Sequence, residues 1–450
     1  DRRPSGSPLK GRMMPQEKYE SSHSEGFQPH SEGVLTKRWA NGQILILCQL
    51  FYPELVSTGQ TLTELAEQMA SCGIDVEVLC GPPTVLGRES KVPSRMEHKG
   101  IRIRRVWGTR FPKLSLLGRI VNQVTFTMSV FLHFLVHRCK RPILVLTNPP
   151  FLAVVCAVLR VLRLGPPFLY LIFDVYPDTA VRLGLLKEKA LLCRVWDRLN
   201  LFVYDHASSI IVIGRCMEDV IRQKTAKMGR DVNGRLQRVH VWCDDAAITA
   251  ASSSSNGFAQ RFNVSNKVVV GYFGNMGRFH DIETIMAAAE GLKDDDNIVF
   301  LFVGEGHKKK WAMDYARRNG LANCRFHTYV AREDLGHLLA LADIGLVSLL
   351  EQQVGLSVPS KAFGFMAAAV PVVAVVPKEC EIARIIVEQE CGVWVRPGDK
   401  DSLIHHLREL AANRTGLQTM GMNGQRAIRE KYSLEKACIR YVELLAAIEE

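Results

Sequence analysis

The stretch Val268-Val269-Val270-Gly271-Tyr272-Phe273 is a short apolar run with no polar alternation. Such a run reads as a strand buried on both faces, which in practice means a parallel sheet covered by helices. A loop with glycines at 274 and 277 follows, then Asp281, placed to cap a helix, and Ile282, Ile285, Met286 and Ala289 at the spacing of one helical face. Strand, glycine loop and helix N-terminus together bring unpaired backbone N–H groups and a positive dipole end to one spot, which suits a phosphate. The alternative is an ordinary α/β turn that uses its glycines for backbone freedom alone. The spacing is not that of the dinucleotide fingerprint, but Arg278 and His280 share the loop and favour an anion.

The same rhythm recurs along the 450 residues, a length that points to two domains. Ile44–Cys48 reads as a strand, a helix with Leu62, Leu65, Ala66 and Met69 on one face follows, and Val76–Leu79 is the next strand. Phe168–Phe173 is a strand that delivers Asp174 and Asp178 to the carboxyl edge of the sheet, where open α/β folds bind ligands. A role in holding hydroxyls or accepting a proton fits both, although Asp178 fits a simple helix cap equally well. Short strands are expected at Ile210–Ile213 and Val239–Val241, and the Ser-rich run around Ser252–Ser255 is the clearest domain boundary. Beyond it, Ile298–Val303 leads to Gly304-Glu305-Gly306, and Ser360-Lys361 opens a helix, placing an ammonium beside free N–H groups as a second phosphate-site candidate. A solvated helix-end lysine is the alternative. The expected organisation is a disordered leader over 1–42, domains over 43–250 and 266–430 joined by a linker over 251–265, and a C-terminal helix over 431–450.

Charge is distributed unevenly. From His98 to Phe173 there is no Asp or Glu, while twelve Lys and Arg residues lie there, more than the net +11 of the whole chain. Within this stretch Ile120–His137 has no formal charge but carries Asn122, Gln123, Thr125, Thr127, Ser129 and His133, too polar for a membrane span. An amphipathic helix lying on an anionic membrane surface fits it, and a helix packed on the sheet with a basic rim is the alternative. Nucleic-acid binding fits less well, because the basic stretch offers few polar aromatics for stacking. The twelve cysteines form no C-x-x-C pair and the opening residues form no apolar signal core, so a reducing, cytoplasmic compartment is expected.

Thr58-Gly59-Gln60, Tyr176-Pro177-Asp178, Gly274-Asn275-Met276-Gly277 with His280-Asp281, Pro359-Ser360-Lys361, Glu381-Ile382-Ala383-Arg384 and Pro397-Gly398-Asp399 occur in this order over four hundred residues. In this pattern the chain resembles the retaining glycosyltransferases of family 4, in particular a bacterial subgroup that builds cell-surface polysaccharide. The resemblance implies the α/β GT-B fold, two Rossmann-like domains facing across a cleft, with the C-terminal helix crossing back to the first. It implies transfer of a hexose or N-acetylhexosamine from a nucleotide diphosphate sugar, UDP-linked by expectation, to a lipid-linked or membrane-proximal saccharide acceptor. No metal or other cofactor is implied. Asp174, Asp178, Arg278 and Lys361 are the expected catalytic groups; Thr58, Gly59, Gln60, Gly274, Asn275, Met276, Gly277, His280, Glu305, Ser360 and Glu381 are expected at the donor. The enzyme would sit on the inner face of the cell membrane through residues 98–173. The family's glutamate pair is absent, Leu356 and Gly364 standing at its positions, with Glu283 or Glu381 as replacements for the ribose contact. His280 is expected to titrate and to weaken donor binding as pH rises. A nucleotide-sugar 2-epimerase and a catalytically silent membrane scaffold are the remaining readings.

Overall fold

The computed structural model describes residues 42–54, 57–83, 92–111, 116–245, 248 and 257–449. The expected leader lies outside them except for Gly42, and the expected linker is described from Gly257 onward, where Phe258–Arg261 form a short helix. Strands β1 (Gln43–Leu47), β2 (Asp75–Cys80), β3 (Arg95–His98), β4 (Ile101–Arg105), β5 (Ile143–Leu146), β6 (Phe168–Ile172), β7 (Ser209–Val212) and β8 (Leu236–Arg238) form one sheet. Its order is β3-β4-β2-β1-β5-β6-β7-β8, parallel except for the β3–β4 pair. A second sheet, β11-β10-β9-β12-β13-β14, is parallel throughout. Its strands are β9 (Val268–Phe273), β10 (Ile298–Val303), β11 (Cys324–His327), β12 (Ile344–Ser348), β13 (Val372–Val375) and β14 (Gly392–Val395). Every residue of β5, β6, β9, β10, β12 and β13 is buried, as the unbroken apolar runs require. The strand expected at Val239–Val241 lies three residues earlier: Leu236 pairs with Ile210, and Val239 and Val241 are buried just beyond the ladder.

The strand orders place one topological switch point between β1 and β5 and another between β9 and β12. Crevices outside the carboxyl ends of such strands are where this class of sheet takes ligands. Both loops singled out in the second domain, after β9 and after β12, flank its switch point.

The Leu434–Glu449 helix packs on the Ser57–Ser71 helix of the first domain. Leu434 N–H donates to Cys243 O at 3.0 Å and the Tyr441 ring meets Trp242 edge-on at 5.7 Å. The domains also meet directly. Val175 N–H donates to Leu356 O at 3.1 Å, Arg332 pairs with Glu64, and Arg215 spans to Glu381 and Glu388. Gly355, at φ +73°, is where a side chain would run into Val220 and the Cys216 carbonyl of the facing domain.

The Leu116–Val136 helix carries apolar residues on its outer face as well as its inner one. Phe126, Val130 and Phe134 are buried, and so is Asn122, whose amide holds the 109–111 segment. Val121, Val124, Met128, Leu132 and Leu135 point to the outside. The polar residues that argued against a span are spent locally: Thr125 meets Thr109 and Thr127 donates to Gln123 O at 2.8 Å. By length and composition alone the helix is long and apolar enough to cross a membrane, and part of it is buried in its own domain. Its inner side, Asn122 with Phe126, Val130 and Phe134, anchors it to its own domain.

Candidate active site

The loop after β9 and the loop after β10 interlock. Gly274 N–H donates to Val303 O at 2.8 Å, Met276 N–H to Glu305 O at 2.7 Å, and Lys308 N–H to Met276 O at 3.0 Å. This closeness demands glycine: at Gly304, φ +150°, a side chain would overlap the Gly274 carbonyl, and at Gly306, φ +147°, it would overlap Met276. Gly274 itself, φ +117°, lies beneath Lys361, whose Cε would be 2.9 Å from a Cβ there. Three of the loop N–H groups that the sequence offered to an anion are therefore already engaged. Those of Gly274, Met276 and Gly277 already donate within the protein, the last to His280 Nδ1 at 3.1 Å. Those of Asn275 and Arg278 have no acceptor among the described residues.

Lys361 is the centre of the site. Its Nζ donates to the Tyr272 hydroxyl at 2.8 Å and to Asn275 O at 2.5 Å, and lies 4.2 Å from the Tyr272 ring centroid. No carboxylate pairs with it, and burial lowers its pKa to about 7. The nearby acids are taken: Glu283 pairs with Lys308 at 2.7 Å and Glu305 with Lys309 at 2.6 Å. A half-buried ammonium held by neutral groups and without a carboxylate, above a glycine-tight loop, is a candidate for meeting an anion. Arg278 is exposed in the same loop and makes no ion pair among the described residues.

His280 differs from its expected role. Its Nδ1 accepts from Gly277 N–H and lies 2.9 Å from the Tyr272 hydroxyl, so the proton sits on Nε2. Burial, then the charges of Lys361 and Lys308, push its pKa down to about 3. It is a neutral donor across the physiological range and does not titrate there. Ser360 is exposed and makes no capping bond, and the Lys361–Ala367 helix behind it has only seven residues, so the ammonium rather than a helix end supplies the charge. Asp281 is a true cap, accepting from Thr284 N–H at 3.0 Å.

Across the crevice, Thr58, Gly59 and Gln60 form the first turn of the Ser57–Ser71 helix after β1, and Gly59 packs against the Leu50 carbonyl. The same helix carries Glu64 to Arg332 of the second domain. Asp174 ends β6 beside Val175, the residue bonded to Leu356. Its carboxyl has no partner among the described residues, and burial raises its pKa to about 6. Asp178 is different: it pairs with Lys224, which also reaches Asp197 at 2.8 Å, and so ties three helices of one domain. Glu381 is also withdrawn from any ligand. Wholly buried, it accepts from Arg215 N–H at 2.6 Å and Nε at 2.9 Å, making it an interdomain clamp rather than a ribose contact. Sequence reasoning missed Tyr272 and Arg215. The phenol inside an otherwise apolar strand was the available sign for the first; nothing local marks the second. Among the described residues the group with metal-ligand spacing is His405, His406 and Glu409, largely exposed on the Lys400–Ala412 helix and no part of this crevice.

Residues 58–232 match the glycosyl transferase 4-like domain and residues 267–413 the glycosyl transferases group 1 family. A Pseudomonas aeruginosa protein named as a probable glycosyltransferase, WbjE, is 31% identical over 74% of this chain and 83% of its own. WcaI of Escherichia coli (strain K12), provisionally named a colanic acid biosynthesis glycosyl transferase, is 24% identical over 82% of this chain and 91% of its own. Among solved structures, Anabaena Alr3699/HepE in complex with UDP superposes with a TM-score of 0.66 at 16% identity, covering 90% of this chain and 100% of the other. Two parallel-sheet domains, each with its switch point at the shared cleft, and this family likeness in both halves make one assignment: the chain is a glycosyltransferase of group 1, with the GT-B fold.

Proposed function

We infer that the protein is a retaining, metal-independent transferase that moves a hexose or N-acetylhexosamine from a UDP-linked donor to a lipid-linked acceptor during envelope polysaccharide assembly. The observation that carries the reading is Lys361, a half-buried cation with no carboxylate, at the switch point of the second domain. The HepE structures with UDP and with UDP-glucose, and the colanic acid name of WcaI, support the donor and the pathway class. In the reaction the bond from the anomeric carbon to the β-phosphate oxygen breaks as the acceptor hydroxyl oxygen bonds to the same carbon. The hydroxyl proton leaves to the departing diphosphate. Negative charge grows on that phosphate, so Lys361, Arg278 and the free N–H groups of Asn275 and Arg278 act most strongly in the transition state. Asp174 receives the acceptor hydroxyl.

The exposed apolar face of the Leu116–Val136 helix, bordered by Arg119, Arg138 and Lys140, supports attachment to an anionic membrane surface on the cytoplasmic side. Calorimetric titration with UDP-glucose, UDP-N-acetylglucosamine and their GDP and dTDP counterparts tests the donor reading. At least one is expected to bind, with Lys361→Ala losing it. No binding to wild type at millimolar concentration refutes it.

A further inference from the structure

We propose that Phe151, Tyr176 and Trp196 form the floor of an acceptor subsite for a pyranose carried on a lipid diphosphate, with Arg110 and Arg119 holding the diphosphate. This rests on the transferase reading above and assigns the acceptor's parts to residues.

Phe151 follows β5 at the first domain's switch point and Tyr176 follows β6 next to it. Their rings meet Trp196 of the Leu191–His206 helix, Phe151 at 4.6 Å and Tyr176 stacked at 5.6 Å with planes 10° apart. Asn200 Nδ2 donates to Tyr176 O at 2.7 Å and fixes that corner. Phe151 is exposed, and Tyr176 and Trp196 are half-buried, so the cluster is a surface and not core. An aromatic face takes the C–H face of a sugar ring and leaves its hydroxyls at the rim. The nearest rim group is the unpartnered carboxyl of Asp174, two residues before Tyr176.

The other side of the cluster opens to the apolar surface through the exposed Leu191, Leu192 and Val195. Arg119, early in the Leu116–Val136 helix, is near enough to oppose the rise that burial imposes on the Tyr176 phenol. One turn on, Asn122 accepts from Phe111 N–H at 2.9 Å and from Thr109 Oγ1 at 2.8 Å, which pins Arg110 to the same helix. Neither arginine has a carboxylate or other hydrogen-bond partner among the described residues, and Arg110 Nε is buried. Arg119 beside the aromatic floor, with Arg110 pinned to the same helix and neither carrying a counter-charge among the described residues, suits an anionic lipid head that ends in a sugar. The order along the surface is lipid, diphosphate, pyranose and reacting hydroxyl.

The test uses the full chain labelled with 5-fluorotryptophan, its Trp196 resonance assigned by Trp196→Phe. With UDP bound, methyl pyranosides of glucose, galactose, mannose, rhamnose and N-acetylglucosamine are titrated in turn. At least one is expected to shift the Trp196 resonance, with Phe151→Leu and Tyr176→Leu weakening it about fivefold. Geranyl diphosphate, which has the anionic head and isoprenoid but no sugar, probes the arginines. Arg110→Gln with Arg119→Gln is expected to weaken its binding at least about tenfold, and Tyr176→Leu to leave it unchanged. A Trp196 resonance unmoved by every pyranoside overturns the sugar floor, and geranyl diphosphate binding indifferent to both arginines overturns the head site. UDP affinity, measured on each variant, separates these failures from misfolding and from failure of the donor reading.

Discussion

Donor affinity is expected to fall as pH rises through 7, and Lys361 is the cause. Burial holds the ammonium at a pKa of about 7, and a bound diphosphate would raise it by supplying a counter-charge. Binding above pH 7 therefore takes up a proton, and affinity drops about tenfold per unit until the pKa of the complex is reached. Between pH 6 and 8.5 the protonated fraction falls about 30-fold, equivalent to ~2 kcal/mol of binding free energy. A sugar nucleotide is the right ligand, because its diphosphate is a diester without the second phosphate ionisation near pH 6. Calorimetry with UDP-glucose in buffers of different ionisation enthalpy reads both the slope and the proton uptake. His280 cannot produce the slope, since its imidazole, with a pKa of about 3, is already neutral throughout the window. Lys361→Arg keeps its charge and should flatten the profile. A flat wild-type profile, or a slope that survives in Lys361→Arg, refutes the reasoning.

Four further outcomes are expected. Asp174→Asn should remove the acid limb near pH 6 from the kcat/KM profile and lower kcat while leaving UDP affinity intact, because the carboxyl with a pKa of about 6 loses its charge below that value. Asp178→Asn should retain transfer, its carboxylate being engaged with Lys224, and a loss comparable to Asp174→Asn would contradict the assignment. Arg215→Ala removes the guanidinium from the buried Glu381, leaving it the backbone N–H of residue 215 and His240, and should lower stability by about 3 kcal/mol, read as a fall in melting temperature. Val124→Glu with Leu132→Glu should abolish sedimentation with phosphatidylglycerol vesicles while UDP binding persists, and unchanged sedimentation would remove the membrane role from this helix face.

The architecture was legible because it is written in local terms. Runs such as Phe168–Ile172 and Val268–Phe273 have one stable use, and the glycine loops behind them mark where parallel strands end. The site was legible only where a residue acts alone. Lys361 and Asp174 stand out because their neighbourhoods contain no opposite charge. Asp178 and Glu381 carry the same local signals, a carboxylate at a strand's edge or a helix's first turn, yet Lys224 lies 46 residues from the first and Arg215 lies 166 from the second. Partners so distant in sequence are brought by the fold. His280 failed for a related reason: its ionisation is set by burial and by Lys361, neither visible within its own loop. The Leu116–Val136 stripe was visible, but its direction depended on which side Asn122 would bond.

Loss of the family's glutamate pair does not make the protein a silent scaffold. A carboxylate on a donor ribose would bind substrate and transition state alike, so its absence would be expected to raise KM rather than lower kcat. The groups proposed to meet the charge developing on the β-phosphate are Lys361 and Arg278, and neither pairs with a carboxylate among the described residues. A scaffold retaining nucleotide binding alone would keep the same cation for the diphosphate, so release of UDP from the donor is what separates it from a transferase. A 2-epimerase needs two placed carboxyl groups for proton transfer. Of the two that sequence offered here, Asp178 is held by Lys224, leaving Asp174 alone. Incubation of UDP-N-acetylglucosamine with the enzyme in deuterated water decides between these chemistries. Epimerisation exchanges the C2 hydrogen, whereas transfer or donor hydrolysis releases UDP with that hydrogen retained, and deuterium at C2 would overturn the transferase assignment of Lys361 and Asp174.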